Sequence, residues 1–147
     1  STHPIYDPEA KGCFYGLKLS HGKEHFSRAI LESIAYMLNS SISSLKQDIS
    51  MIHSIGGSAR SDLWCQIKAD VTKKQIKTLK ESEPACKGSA ILAGIATKEY
   101  LSIQEACEKT IYIDKIYQAK SDGYDSYTKL YNEYMKMNEK IYGKGGR

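Results

Sequence analysis

Apolar residues recur along the chain with two periods, and these place its elements. Phe26, Ile30, Ile34, Met37, Leu38 and Ile42 fall at helical spacing, so the longest helix is predicted to follow the turn Ser20-His21-Gly22. Ser40 to Ser44 contains four serines, whose hydroxyls compete for backbone groups, and the helix is expected to fray there. Met51 to Ile55, MIHSI, suits a short buried strand. Ser61 opens a second helix with Leu63, Ile67 and Val71 on one face. Gln75 to Leu79, QIKTL, alternates weakly and reads as a strand. Pro84, with acids just before it, starts a helix expected to run from Ala85 to Glu99. Ser102-Ile103-Gln104-Glu105 has the form of a capping box for a helix through about Thr110. Ile111-Tyr112-Ile113 is expected to be a short extended piece, and Tyr124 to Tyr142 a terminal helix with Tyr124, Tyr127, Tyr131 and Tyr134 along one face. Ahead of all these, Gly12 to Leu19 reads as a strand kinked at Gly16, after an extended loop over 1–11. Asp122-Gly123 is a predicted turn, and Lys144 to Arg147 a disordered tail. Strands alternating with helices imply an α/β fold with at least part of its sheet parallel.

One stretch, Met51 to Val71, joins a strand, a run of small residues (Gly56-Gly57-Ser58-Ala59-Arg60) and a helix start. Glycine lets the backbone approach a ligand, and a helix N-terminus offers unpaired N–H groups and the positive end of the dipole. The unit can therefore bind an anion. A tight turn after a strand accounts for the same residues, and local chemistry does not separate the two. Farther along, Gly88 and Gly94 lie inside a helix rich in small residues. Each costs about 1 kcal/mol against alanine, so close packing on a sheet or a ligand is expected in return. Lys87-Gly88-Ser89 is not the end of a phosphate loop, because Ser82 stands where the leading glycine is needed and Pro84 interrupts the loop.

Other candidate groups read as structural. His21 and His25 can share a helix face, but no third ligand is evident, and no metal site is expected. Asp62 and Asp70 read as helix-start charge and structural acid rather than as a base, and Trp64 as core. The tyrosine face is expected to pack, with stacking on bases as the competing use.

Composition narrows the classes. A chain of 147 residues suits one domain or two small packed pieces. Hydrophobic content of 41% and charged content of 26% are ordinary for a globular protein. No run approaches the ~18 apolar residues that span a bilayer, and the polar opening Ser1-Thr2-His3-Pro4 is not a secretory signal. The net charge of +4 is scattered, the longest basic cluster being Lys73-Lys74, so a solvated surface is expected and no nucleic-acid partner. None of the four cysteines forms a CxxC pair, which removes zinc-ligand spacing. Cys65, Cys86 and Cys107 read as small buried apolar residues, reduced in a cytoplasmic protein. The chain does not start with Met, and a piece of something longer is expected.

Four segments in order resemble the C-terminal domain of the FGGY carbohydrate kinases, of the sugar kinase/actin/Hsp70 ATPase group with its ribonuclease H-like fold. Pro4 to Gly12 followed by Phe14-Tyr15-Gly16-Leu17 resembles the entry segment PxxDPxARGxFxGL. His21 to Tyr36 resembles the long helix HTRAHLxRAxLEGIAF. Gly56 to Asp70, GGSARSDLWCQIKAD, resembles GGGAKSPLWRQIxAD, and Glu83 to Gly94, EPACKGSAILAG, resembles ExAALGAAILAG.

The resemblance implies transfer of the γ-phosphate of ATP to a sugar or polyol hydroxyl, with ATP and Mg2+ as cofactors, in a cleft between two domains. Residues 1–120 would be a segment of the C-terminal nucleotide-binding domain, incomplete at its N-terminal side. Residues 121–147 would be a helix packed on it and a tail. By the same resemblance Gly56 and Gly57 face the phosphates and ribose, with Ser58 completing the glycine run. Ser61 matches the position that contacts adenine, and the region about Gly88 walls the adenine site. The catalytic Asp and most of the sugar pocket belong to the family's N-terminal domain, so no catalytic residue and no metal ligand is expected here, and the piece alone is expected to be inactive. Ser58 departs from the usual glycine and restricts the loop. Ser61, where glycerol-kinase relatives have Asn, points to the pentulose and gluconate branch. Lys87 and Ser89 replace the common Leu and Ala. A pentulose such as xylulose is the expected substrate, with gluconate or another polyol as the alternative, and the resemblance leaves room for a homodimer of the full-length protein. The competing classes are a non-enzymatic basic interaction domain and a kinase remnant that binds nucleotide without transferring phosphate.

Overall fold

The computed structural model describes residues 11–80, 83–121 and 124–143, and the side chain of residue 124 is left aside. The loop expected over the first residues, the turn at Asp122-Gly123 and the tail from Lys144 therefore fall wholly or largely outside the described residues. Met51–Ser54 (β1), Gln75–Leu79 (β2) and Ile113–Tyr117 (β3) form one sheet in the order β1-β2-β3. β1 and β2 are parallel, with Met51 opposite Gln75 and Ser54 opposite Thr78. β3 is antiparallel to β2, with Ile76 opposite Tyr117 and an irregularity between Lys77 and Leu79. Parallel neighbours need a crossover, and the helix Asp62–Thr72 (α2) supplies it.

α2 is buried on two sides. Cys65 and Ala69 pack on Ile76, with Ile52 and Tyr117 beside them. These are small side chains, so the helix lies close to the sheet. Ile67 and Val71 face the other way. They join Ala35 and Tyr36 of Lys23–Ser44 (α1), and Tyr127, Tyr131 and Tyr134 of the terminal helix close over this cluster. Burying an aliphatic side chain of this size contributes about 1.5–3 kcal/mol. α2 is thus a middle layer between the sheet and a pair of helices. The opposite face of the sheet leaves Met51 and His53 exposed.

Pro84–Ala96 (α3) and Ile103–Thr110 (α4) pack on one another beyond β2. Pro84 occupies the first turn of α3, where a missing N–H costs nothing. Ser102 caps α4, its Oγ accepting from the Glu105 N–H at 3.1 Å. The Glu105 carboxylate takes the Leu101 N–H at 2.7 Å rather than that of Ser102, so the capping box is one residue out of its usual form. Tyr124–Tyr142 (α5) matches the predicted terminal helix in extent.

Several expectations are corrected. Residues 12–19 form no strand: they are exposed and pair with no ladder, Gly16 has φ +77, and Phe14 is held by an edge-on contact with Phe26 at 5.0 Å. α1 continues through its serines to Ser44, and Ser41, Ser43 and Ser44 turn their hydroxyls back to the carbonyls of Met37, Asn39 and Ser41. Among the described strands β1 lies at the edge of the sheet and ends at Ser54, and Ile55 is 51% exposed. Leu63 is 53% exposed, so it is not part of the buried face of α2. α3 stops at Ala96, where Lys98 takes a left-handed conformation and the Glu99 N–H returns to the Gly94 carbonyl at 2.8 Å. The extended piece near Ile111 is displaced to β3. Cys86 is exposed and Cys107 half-buried, leaving Cys65 as the buried thiol.

Candidate functional site

β1 and β2 run parallel, so the segments that leave their carboxyl ends lie along one edge of the sheet. The residues after β1 are Ile55 to Ser61, and those after β2 lead into α3. This is the edge at which open α/β sheets place ligands. It carries the five residues singled out from the sequence: Gly56, Gly57, Ser58 and Ser61 in one turn, and Gly88 in α3. The turn and Gly88 stand on separate supports, for α3 leans on α4 and the turn leans on α2.

Gly56 has φ 75 and ψ −162, a conformation essentially confined to glycine. It throws the chain out of the strand into a 3-10 turn over Gly57–Arg60, closed by the Ala59 N–H on the Gly56 carbonyl at 3.0 Å. Ser61 then caps α2, its Oγ accepting from the Trp64 N–H at 3.3 Å. The hydroxyl retains its proton for a further acceptor.

Three glycines separate by what surrounds them. A Cβ on Gly94 would stand 2.7 Å from the Tyr100 ring, so this glycine is needed for internal packing. A Cβ on Gly57 or on Gly88 would meet nothing within 4 Å, and neither residue needs a positive φ. Among the described residues nothing requires glycine at these two positions, and both leave room for close approach from outside. Gly88 also borders an almost wholly apolar groove of about 330 Å³ between α3, α4 and the end of β2, with Leu79, Pro84, Ile91, Leu92 and Ile103 among its walls.

The sequence reading missed Lys68. Its side chain is 7% exposed, and its Nζ donates to Ser54 Oγ at 2.8 Å and Ser58 Oγ at 3.2 Å. It lies 4.8 Å from the centre of the Trp64 ring. Among the described residues no carboxylate pairs with it. Burial holds its pKa below the usual lysine value. The sequence signal is its place between Ile67 and Ala69, one turn after Trp64, in a helix with two buried faces.

The remaining candidates have structural partners. Asp62 Oδ1 accepts from Lys115 Nζ and Tyr117 Oη, both at 2.8 Å, which ties the start of α2 to β3. The Lys115 bond, then that of Tyr117, holds the Asp62 carboxyl below its usual range. Burial, with the Asp62 carboxylate, pushes the Tyr117 phenol up to about 12. Asp70 accepts from Gln66 Nε2 at 2.8 Å and from the Lys120 N–H at 2.9 Å. His21 and His25 stack with ring centres 5.0 Å apart, and their Nδ1 atoms accept backbone N–H groups of Lys18 and Gly22. Among the described residues no group of His, Cys, Asp and Glu is placed to hold a metal ion, and no helix is long and apolar enough to cross a membrane. Tyr127, Tyr131 and Tyr134 are half-buried and pack against the core cluster of α1 and α2, as the packing reading expects.

The family model for the FGGY family of carbohydrate kinases, C-terminal domain, matches residues 1–97. The chain belongs to this family. A xylulose kinase of Staphylococcus epidermidis is 34% identical over 142 residues, covering 95% of this chain and 28% of that protein. A gluconokinase of Bacillus licheniformis is 37% identical over 98 residues, 64% of this chain and 19% of the relative. The crystal structure of ligand-bound xylulose kinase from Lactobacillus acidophilus matches with a TM-score of 0.86 at 26% identity, covering 98% of this chain and 30% of that one. The α/β, ribonuclease H-like class expected from the sequence is the fold of these kinases, and the sheet and helices described above are part of it. The chain spans 28% of the length of the xylulose kinase it matches.

Proposed function

We propose that this chain is the nucleotide-side part of an ATP-dependent carbohydrate kinase acting on a pentulose such as xylulose, with gluconate or another polyol as the alternative. The observation that carries the reading is the pair Gly57 and Gly88, left without a side chain where the fold has room for one, on the ligand-binding edge of a sugar-kinase fold. Helical N–H groups at the turn suit phosphates, and the apolar groove beside Gly88 suits the flat face of adenine. ATP therefore fits the described residues: Gly56, Gly57 and Ser58 toward the phosphates and ribose, Ser61 and Gly88 toward the base. Mg2+ enters with the phosphates, since Asp62 and Asp70 are already engaged. It supplies charge neutralisation during phosphoryl transfer. The base that activates the sugar hydroxyl is assigned outside residues 1–147, so the chain alone transfers no phosphate.

Titration calorimetry with ATP-Mg2+ tests this. The chain is expected to bind, and Gly57→Val, which places a branched side chain in the open space, is expected to weaken binding at least tenfold, or about 1.4 kcal/mol. Equal binding by both proteins contradicts the assignment. So does pentulose-dependent turnover by the chain alone in a coupled assay, since it would place the base within these residues.

A further inference from the structure

Lys68 poses a problem that the described residues do not solve. An ammonium taken out of water loses solvation worth several kcal/mol unless an opposite charge replaces it. Lys68 is nearly fully buried, yet its partners are two neutral hydroxyls and the face of Trp64. Its helix gives it reach. Side chains in a helix lean toward the N-terminus, so Lys68, though two turns into α2, delivers its Nζ beneath the turn that precedes the helix. There it joins Ser54, the last residue of β1, to Ser58 in the 3-10 turn. A buried cation thus lies beneath the turn at the positive end of the α2 dipole, where Asp62, the acid of the first turn, is already engaged by Lys115 and Tyr117.

Ser58 is half-buried, its Oγ accepts from Lys68, and accepting leaves its own O–H as a donor. A serine that stiffens the turn by replacing a third glycine also gives the turn a hydroxyl fixed by a lysine from below.

We propose that Lys68 is a positioning residue for the nucleotide phosphates. Acting through Ser58, it holds the turn in its ligand-binding shape and supplies positive charge that the phosphates complete. This rests on the nucleotide reading given above. A purely structural lysine would support the turn for any ligand. A phosphate-directed one matters in proportion to ligand charge.

The test is a titration series on the full chain with ATP-Mg2+, ADP, AMP and adenosine. For Lys68→Met, which keeps the length of the side chain and removes the charge, ATP binding is expected to fall about tenfold, the loss of one charge-assisted contact. The loss should shrink from ATP through ADP to AMP, with adenosine unchanged within about twofold. Ser58→Ala is expected to give the same graded loss, and in its background Lys68→Met should add less than about threefold, because residues acting as one unit are not additive. Ser58→Ala serves alone if Lys68→Met does not fold, as judged by circular dichroism. An equal loss for adenosine and ATP, or no loss at all, overturns the proposal while leaving the nucleotide site in place. If the wild-type chain binds none of the four ligands, the nucleotide reading fails and the proposal with it.

Discussion

Gly88→Ala separates a glycine kept for folding from one kept for a ligand. Gly88 lies inside α3, and a Cβ there meets no atom within 4 Å. On fold grounds alone alanine is the better residue, by about 0.8–1 kcal/mol for a helix interior. For a chain of this size that raises the melting temperature by about 3 °C. The same methyl group enters the space beside the apolar groove, and overpacking a close contact costs about 1–3 kcal/mol. Nucleotide affinity should therefore fall by about ten- to a hundredfold while stability rises. Urea denaturation and ATP-Mg2+ calorimetry on the same sample read the two effects. Gly94→Ala is the internal control. Its Cβ would stand 2.7 Å from the Tyr100 ring, so the ring must move and the helix-propensity gain is outweighed. A less stable Gly88→Ala would refute the geometry of α3. A more stable one with unchanged affinity would remove the groove from the site.

Two further predictions concern the scaffold. The buried Tyr36 hydroxyl has no hydrogen-bond partner among the described residues, so Tyr36→Phe should raise stability in urea by about 1 kcal/mol. Tyr127→Phe, which breaks the links to Arg28 and Glu32, should lower it; a Tyr36→Phe loss as large as that of Tyr127→Phe would show that the hydroxyl is satisfied. The Asp62 carboxyl is depressed in the folded state, first by Lys115 and then by Tyr117. Its stabilising contribution is therefore complete above the unfolded pKa of about 3.9 and is lost as pH falls through the lower folded value. Asp62→Asn should flatten that acid limb in denaturation curves taken between neutral and acid pH, and an unchanged limb would count against the Asp62–Lys115–Tyr117 link.

The helices were legible where one face is apolar and the other is not. α5 matches its predicted span, as does β2, because the tyrosine spacing gives α5 one packed face and the QIKTL alternation gives β2 one buried face. β3 was placed two residues early and too short because pairing makes it a strand while burial does not: Ile116 is 52% exposed, and the segment IDKIY shows no clear alternation. The segment before α1 failed for the opposite reason. Phe14 and Tyr15 have strand propensity, but the segment pairs with neither edge of the sheet, and propensity without a ladder leaves an exposed loop. At the candidate site, the strand-to-turn-to-helix pattern drew attention to Gly56, Gly57 and the helix start at Ser61, while Gly88 and the roles given to these residues came from the family resemblance. Lys68 was overlooked, since a lysine in a helix is read as solvated until both faces of the helix are known to be buried.

The two-sided burial of α2 explains both that omission and the location of the candidate site. A single-stripe reading of Leu63, Ile67 and Val71 leaves Lys68 on the wet side. With the sheet against Cys65 and Ala69 and the α1–α5 pair against Ile67 and Val71, little wet side remains, and Lys68 is enclosed. The same clamping limits movement of the N-terminus of α2 relative to β1. Ser61 caps that end, Asp62 ties it to β3, and Lys68 joins it to Ser54. A turn of glycine and serine would otherwise be among the loosest parts of a chain, and ordering it on binding would cost affinity. Here the order is established when the core packs. The double burial of α2 thus sets the turn in a fixed place, and the positive φ of Gly56 is what lets the chain leave β1 and enter it.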